Sequence, residues 1–391
     1  MAVYSGIEPV LPPEGNPELE DVAFELVSAA SSLAGLNPRV REAIGDLVRS
    51  MNCYYSNLIE GHNTLPRDIE RALAKEYSAE PRKRNLQLEA VAHIEVQRKI
   101  DSEEDEQTDP VSVEYVRWLH YEFCSRLPED LLWVENPDTG ECLRVTPGEV
   151  RSRGVKVGMH VPPSGPDLDV CLQRFHEAYS APMGKFRKVI AVAAAHHRLL
   201  WIHPFLDGNG RVARLMAHTM FKRLGVGNSL WSVSRGLARN VADYKALLMA
   251  ADNPRQNDYD GRGNLSERAL TDFCRFFLRV SLDQVRFMQS IFDPENLLRR
   301  IELYCRDEAE AGRLPKLSYA VLREVVLAGE LKRGKVPVIV NLQQRAARNI
   351  TSALLAKRLL ASSSPKAPLR LGFPAEGVER WFPSLYPAAD R

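Results

Sequence analysis

The six cysteines of this 391-residue chain, Cys53, Cys124, Cys142, Cys171, Cys274 and Cys305, include no CxxC pair; the nearest two are Cys124 and Cys142. That scatter excludes a zinc ribbon or a dithiol redox motif and suits a reducing compartment. Long apolar runs are also missing: no stretch approaches the ~18–20 apolar residues of a membrane span. The opening MAVYSGIEPVLPPEG has neither the basic segment nor the apolar run of a secretory leader, so a cytoplasmic protein without membrane contact is expected. An excess of one charge is lacking too. Lys+Arg 52 against Asp+Glu 51 leaves +1, so the whole-chain balance points to no polyionic partner. No internal repeat is present, which excludes solenoids and propellers. The length calls for two or three domains of ordinary globular composition.

Most of the chain reads as helix. Residues 1–18 carry four prolines and little apolar material, as an extended arm would. From about Val22, apolar residues recur at three and four: Phe24, Val27 and Ala30, then Ile44, Leu47, Val48 and Met51, and further on Val91, Ile94, Val96 and Ile100. DSEEDEQTDP (101–110) predicts a solvated loop, after which Val113, Val116 and Leu119 resume the helical period. ECLRVTPGEVRSRGVKVGMHVPP (141–163) mixes β-branched residues with Gly and Pro and predicts short strands in a hairpin. Two strong helices follow at 187–202 and 210–224, and one or two more at 264–292. Phe273, Phe276 and Phe277 have core spacing there, and His196 and His197 read as packing or surface groups. Residues 313–370 differ in holding 12 Lys+Arg against 2 Asp+Glu. A helix at 318–328, a short strand at PVIVNL, a helix at 343–360 and a hairpin over SSSPKAPLRLGFP give the order of a winged helix-turn-helix, and with it an expectation of weak nucleic-acid binding. The expected domains are a helical region at 1–110, a catalytic core at 111–295 and the winged-helix-like unit at 296–391.

One segment concentrates chemistry. HPFLDGNGRVAR (203–214) follows an apolar helix that Pro204 stops, placing His203 at a helix-to-loop exit. Gly208-Asn209-Gly210 forms a tight loop whose backbone can approach a ligand closely. It feeds an amphipathic helix that Gly225 ends, and a Gly-rich loop at a helix N-terminus is an anion site. Arg211 and Arg214, three apart, add fixed positive charge on one helical face. Asp207 is a hard-oxygen ligand suited to Mg²⁺ bridging phosphates. His203 titrates near neutral pH and can take a proton from a nucleophile. A base, a metal ligand and a polyphosphate site within one short segment point to phosphoryl-type or nucleotidyl transfer.

The same segment fits the signature HxFx(D/E)GNGRxxR at every fixed position and so resembles the Fic family, over roughly residues 110–290. The resemblance implies a Fic-type helical bundle with a small β-hairpin flap, and transfer of AMP from ATP to a Tyr, Thr or Ser hydroxyl of a target protein. It implies His203 as general base, Asp207 holding Mg²⁺, Gly208, Asn209 and Gly210 as anion hole, and Arg211 and Arg214 on the phosphates, Arg214 at the γ position. Relatives that transfer phosphate carry lysine where Gly210 stands, which favours AMP. TPGEVRSRGVKVGMHVPP, with Val155, Lys156, Val157 and Gly158, is similar to the family's target-docking flap. ARNVADYKALLMAAD is similar to its base pocket and offers Asn240 and Tyr244 as adenosine contacts.

Upstream, SNLIEG fits the family's inhibitory pattern (S/T)xxxE(G/N) through Ser56, Glu60 and Gly61. Ser56 and Glu60 share a helical face, and the resemblance implies that Glu60 pairs with Arg214 and blocks the γ-phosphate site. Three readings stay open: an autoinhibited AMP transferase, a de-AMPylating or bifunctional enzyme in which Glu60 positions water, and a DNA-binding regulator with the Fic domain as sensor. The oligomeric state is open as well, a homodimer included.

Overall fold

The computed structural model describes residues 6–33, 38–102, 108–135 and 139–387. Residues 103–107 of the expected acidic loop lie outside that set. Among the described residues the protein is helical, with two small hairpins. In chain order the helices are α1 Pro17–Leu33, α2 Pro38–Ile59, α3 Pro66–Leu73, α4 Pro81–Asp101, α5 Val113–Cys124, α6 Pro166–Ser180, α7 Lys185–Ile202, α8 Asn209–Arg223, α9 Ser234–Arg239, α10 Val241–Asp252 and α11 Glu267–Phe292. Then follow α12 Pro294–Glu310, α13 Ser318–Ala328, α14 Val336–Val340, α15 Gln344–Ala356 and α16 Ala375–Trp381. Strands β1 Trp133–Glu135 and β2 Cys142–Arg144 pair antiparallel, as do β3 Leu360–Ala361 and β4 Arg370–Leu371.

Local chemistry sets many of these boundaries. Proline stands in the first turn of α3, α4, α6 and α12, where its missing N–H costs no helical bond. The hydroxyl of Ser112 caps α5 by accepting from Tyr115 N at 3.0 Å. Gly225, at φ 66°, ends α8 in the left-handed conformation that a residue with a side chain adopts at a cost.

Two compact units are present, one of Met1–Ser31 with Asn52–Val285, the other of Ser32–Met51 with Arg286–Arg391. In the first, α7 and α8 form the centre. From Val189 to Ile202, α7 is buried at almost every position, and α8 is buried from Arg211 through Phe221. Phe273 and Phe277 of α11 are both fully buried, as their spacing predicts, whereas Phe276 of the same expected set is half-buried. The N-terminal arm straps this core. Arg198, itself fully buried in α7, donates Nε (3.0 Å) and Nη2 (2.8 Å) to the Pro9 carbonyl, and Tyr179 donates to the Val10 carbonyl at 2.6 Å.

Two local expectations change. The hairpin expected within 141–163 begins earlier, because β2 pairs with Trp133–Glu135 upstream. Beyond it the segment is mostly irregular, with a tight turn in which Val157 and His160 exchange bonds of 2.9 and 3.0 Å. PVIVNL, expected as a strand, instead forms α14. Pro337 sits in its first turn and Asn341 stops it at φ 49°, so helix-compatible ends override the β-branched composition.

Candidate active site

The cleft is assembled at the junction of α7 and α8. His203 ends α7 in the left-handed conformation (φ 51°), its N–H bonded to the Leu199 carbonyl at 2.9 Å. Arg151 holds this turn from the flap side. Its Nε donates to the His203 carbonyl at 2.7 Å, its Nη2 to the carbonyls of Pro163 (2.6 Å) and Ile202 (3.2 Å), and its Nη1 to that of Arg153 (2.8 Å). The Arg151 N–H closes on the Pro204 carbonyl at 2.9 Å. Burial, and then the Arg151 charge, lower the His203 pKa to about 4, while the Leu200 carbonyl lies within reach of the ring and opposes the shift. The ring is therefore neutral at physiological pH, as a proton acceptor must be.

After Pro204 the chain turns through Gly208 (φ 81°) into α8. Asn209 staples the loop. Its Oδ1 accepts from Phe205 N at 2.9 Å and its Nδ2 donates to the Phe205 carbonyl at 2.8 Å, so both ends of the side chain are engaged. The first helical bond of α8 runs from Val212 N to the Gly208 carbonyl, which leaves the amides of 209–211 at the open helix end. His120 of α5 supports the loop from below, stacked on Phe205 at 3.8 Å. Gly148 N donates to its Nδ1 at 2.8 Å, so Nε2 carries the proton and donates to the Asp207 carbonyl at 3.2 Å. Burial holds the His120 pKa at about 4, consistent with this neutral tautomer.

Both motif arginines are occupied. Arg214 donates Nε to Ser56 Oγ (2.9 Å) and Nη2 to the Ser56 carbonyl (3.1 Å) and to Glu60 Oε1 (2.5 Å). The Glu60 side chain is 30% exposed against 2% for Arg214, so the pair faces the cleft from its glutamate side. Burial pushes the Glu60 pKa up, but Arg214 and Arg211 outweigh it and hold the carboxyl below the usual range. Gly61 (φ 85°) lets the chain leave the end of α2 there. At Gly210 a Cβ would fall on Glu60 Oε1, so the glycine makes room for the pair. Arg211 is bonded by Glu89 of α4 and, through Nη2 at 3.0 Å, by Asp207 Oδ2. Its guanidinium also lies over the Phe123 ring at 4.9 Å. Burial lowers the Arg211 pKa, but Asp207, Glu89 and Glu60 outweigh that and raise it.

Asp207 meets the requirements for a cation only in part. Its carboxylate is half exposed and Oδ2 is tied to Arg211, leaving Oδ1 open to the cleft. Among the described residues no group of three His, Cys, Asp or Glu side chains could hold a metal. One carboxylate fits Mg²⁺ that takes its remaining ligands from nucleotide phosphates and water.

Other expected residues lie apart. Tyr244 is buried, donates its hydroxyl to His196 Nε2 at 2.8 Å and lies against the Arg214 guanidinium, so it supports the arginine from beneath. Asn240 is exposed at the start of α10 and bonds the Gly236 carbonyl at 2.8 Å. In the flap Val155 is half-buried, and Lys156, Val157 and Gly158 are exposed. His160 bonds the Trp201 carbonyl at 2.7 Å.

Sequence reasoning missed Glu89, His62, Arg151 and His120. Glu89 is wholly buried and also takes His62 Nδ1 at 2.7 Å, which raises the His62 pKa. Its signal was present: Glu89, His93, Val96 and Ile100 recur as i, i+4, i+7 and i+11, so two ionisable residues stand in an apolar stripe. His120 stands similarly between Val116 and Phe123. Arg151 gives no such signal, because its partners are carbonyls.

Comparison with known proteins agrees with this architecture. Residues 110–221 match the model of the Fic/DOC family. The chain is 40% identical to the protein adenylyltransferase Fic of Drosophila virilis over 98 residues, 25% of this chain and 20% of that protein. It is 29% identical to the protein of the same name from Nematostella vectensis over 174 residues, 44% of this chain and 37% of the relative. The chain thus spans about a fifth of the length of the Drosophila protein. A solved Fic family protein from Desulfovibrio desulfuricans aligns with TM-score 0.53 at 18% identity, covering 92% of this chain and 98% of that one. A Fic domain protein from Bacteroides thetaiotaomicron aligns with TM-score 0.51 at 20% identity, covering 68% and 95%. The loop at the start of α8 lies inside the stretch that matches the Fic/DOC family model, so the chain carries a Fic domain over residues 110–221.

Proposed function

We propose that the protein is an adenylyltransferase that moves AMP from ATP to a Tyr, Thr or Ser hydroxyl of a target protein and is held back by Glu60. The observation that carries this reading is the cluster of a neutral His203, the half-exposed Asp207, the amides of 209–211 at the open end of α8 and the two motif arginines. The target hydroxyl oxygen attacks the α-phosphorus, the bond from that phosphorus to the β-phosphate bridging oxygen breaks, and pyrophosphate leaves. His203 takes the hydroxyl proton. The amides at the start of α8 and the arginines face the charge on the phosphates. Mg²⁺ held by Asp207 would neutralise charge on the nucleotide phosphates. The flap at 155–158 docks the target beside His203, and Asn240 is the exposed candidate for the adenosine. Glu60 occupies the guanidinium that a γ-phosphate needs, so ATP and Glu60 compete for Arg214.

The test is incubation with ATP labelled at the α- or γ-phosphate, followed by peptide mass spectrometry. Label from the α-phosphate, lost on adding EDTA and reduced at least ~10²-fold in His203→Ala, is expected. Transfer of the γ label, or undiminished transfer by His203→Ala, overturns the reading. A second activity, hydrolytic removal of AMP, is favoured by one observation: Glu60 Oε1 is bonded to Arg214 while the partly exposed carboxylate keeps Oε2 for a water. If Glu60→Gly abolishes removal of AMP from a modified target without raising transfer, that second reading replaces inhibition.

A further inference from the structure

The unit of Ser32–Met51 and Arg286–Arg391 carries a face that the reaction does not use. From Leu331 to Arg370 the sequence holds nine Lys and Arg and no Asp or Glu. Soluble surfaces usually interleave the two signs, so such a run needs an explanation. The fold arranges it. Helix α13 leads through Leu331, which exchanges 2.8 Å bonds with Leu369, into α14. Asn341, Leu342 and Gln343 then turn the chain into α15, and β3 and β4 follow as a hairpin. Two helices joined by so short a turn have the connection of a helix-turn-helix.

The two sides of α15 are chemically distinct. Ala347, Ile350, Thr351 and Leu354 are buried. Opposite them Gln344, Arg345, Arg348, Asn349 and Ser352 are exposed, the last four at i, i+3, i+4 and i+7 and hence in one stripe. Among the described residues neither Arg345 nor Arg348 is paired with a carboxylate, whereas Lys357, at the end of the helix, is anchored to Glu308 at 3.0 Å. Arg, Asn, Gln and Ser are the side chains whose donors and acceptors match base edges. The loop between β3 and β4 is braced. Ala367 N donates to the Ser364 carbonyl at 3.1 Å, and Arg333 Nε donates to the Ala367 carbonyl at 3.1 Å. That brace presents Lys366 at an exposed tip.

We propose that this face binds duplex DNA, with the Arg345–Ser352 stripe of α15 in the major groove and Lys366 on the flanking backbone. The groove admits one α-helix, and a cationic stripe without carboxylates complements its phosphate walls. The proposal is independent of AMP transfer. It is tested on the full chain by fluorescence anisotropy with a mixed-sequence duplex of about 30 base pairs, between about 50 and 200 mM salt. Binding is expected to weaken steeply with salt. R345E/R348E is expected to lose at least about tenfold in affinity and to flatten the log–log salt slope by about 2. Lys366→Glu should flatten it by about 1. Both variants should keep the wild-type melting temperature and AMP transfer. Absence of duplex binding at the lowest salt overturns the proposal, as does equal binding by R345E/R348E. Equal affinity for single-stranded RNA overturns it too, and equal affinity for polyglutamate replaces it with protein docking.

Discussion

Two sets of arginines, one in each unit, are held in opposite ways. Arg151, Arg211 and Arg214 expose 5, 4 and 3% of their surface, and each guanidinium is already bonded to carbonyls, carboxylates or a hydroxyl. Arg345 and Arg348 are exposed and meet no carboxylate among the described residues. A buried, bonded guanidinium takes a new anion only by exchanging one ligand for another, so its affinity is set by the ligand it must release. An exposed one is set by the counterions it sheds, hence by salt. On the two proposals the first arrangement would make a switch and the second a standing attraction.

The largest expected effect tests whether the buried set depends on its carboxylates. Glu89→Ala removes the wholly buried partner of Arg211 and should cost about 3–5 kcal/mol, the usual penalty for breaking a buried ion pair. A melting temperature equal to that of the wild type would mean that Asp207 alone satisfies Arg211. Next comes the exchange itself. If Glu60 competes with ATP for Arg214 as proposed, a charge-assisted bond of about 1.5–3 kcal/mol would keep roughly 90–99% of the protein with Arg214 on Glu60, and Glu60→Gly should raise AMP transfer about 10- to 100-fold. Adding Arg214→Ala should abolish that gain. Unchanged transfer and ATP affinity in Glu60→Gly would remove the switch from the comparison.

Smaller effects come from protons and salt. Burial lowers the pKa of His93 and His196 to about 3 and that of His120 to about 4. The unfolded chain therefore binds more protons than the folded one once pH falls below ~6.5. Stability is full above that value and is lost as pH falls toward 4, by the order of 1–2 kcal/mol per histidine at pH 5. His62, raised by Glu89, acts in the opposite sense and gives a partial offset below ~6.5. Thermal melts from pH 7.5 to 4.5 check this, and a flat profile contradicts the burial. The smallest effect separates the two arginine sets. Transfer by Glu60→Gly should change less than about twofold between about 50 and 200 mM salt, over which the proposed duplex binding should collapse. Parallel losses would erase the distinction.

Much of the site was legible because its chemistry is contiguous. His203 through Arg214 lie on one turn and the helix that follows, so spacing alone sets their relation. The meeting of Glu60 with Arg214 was legible only through the SNLIEG pattern, since no periodicity links residues that far apart in sequence. Glu89 and His120 were legible in principle as ionisable residues on apolar stripes. Arg151 was not, because carbonyl partners leave no mark in side-chain chemistry. In the fold, α7, α8 and α13 follow their periodicity closely. At PVIVNL, β-branched composition misleads, because Pro337 and Asn341 fix helical ends around a run too short to show a period.

Gly210 carries a consequence for genetics. A Cβ at that position would take the place of Glu60 Oε1 and come within 3.1 Å of Arg214 Nη1. One missing carbon therefore makes room for the glutamate and, on the proposed reading, for the phosphate that it would exclude. Gly210→Ala would then be a confounded probe, since eviction of Glu60 would raise activity while damage to the loop at the start of α8 would lower it, and the net sign would report neither. The two separate only when the substitution is repeated in the Glu60→Gly background, where the eviction has nothing left to remove. Positions 60 and 210 are thus epistatic by construction, and the phenotype of a change at either one depends on which residue stands at the other.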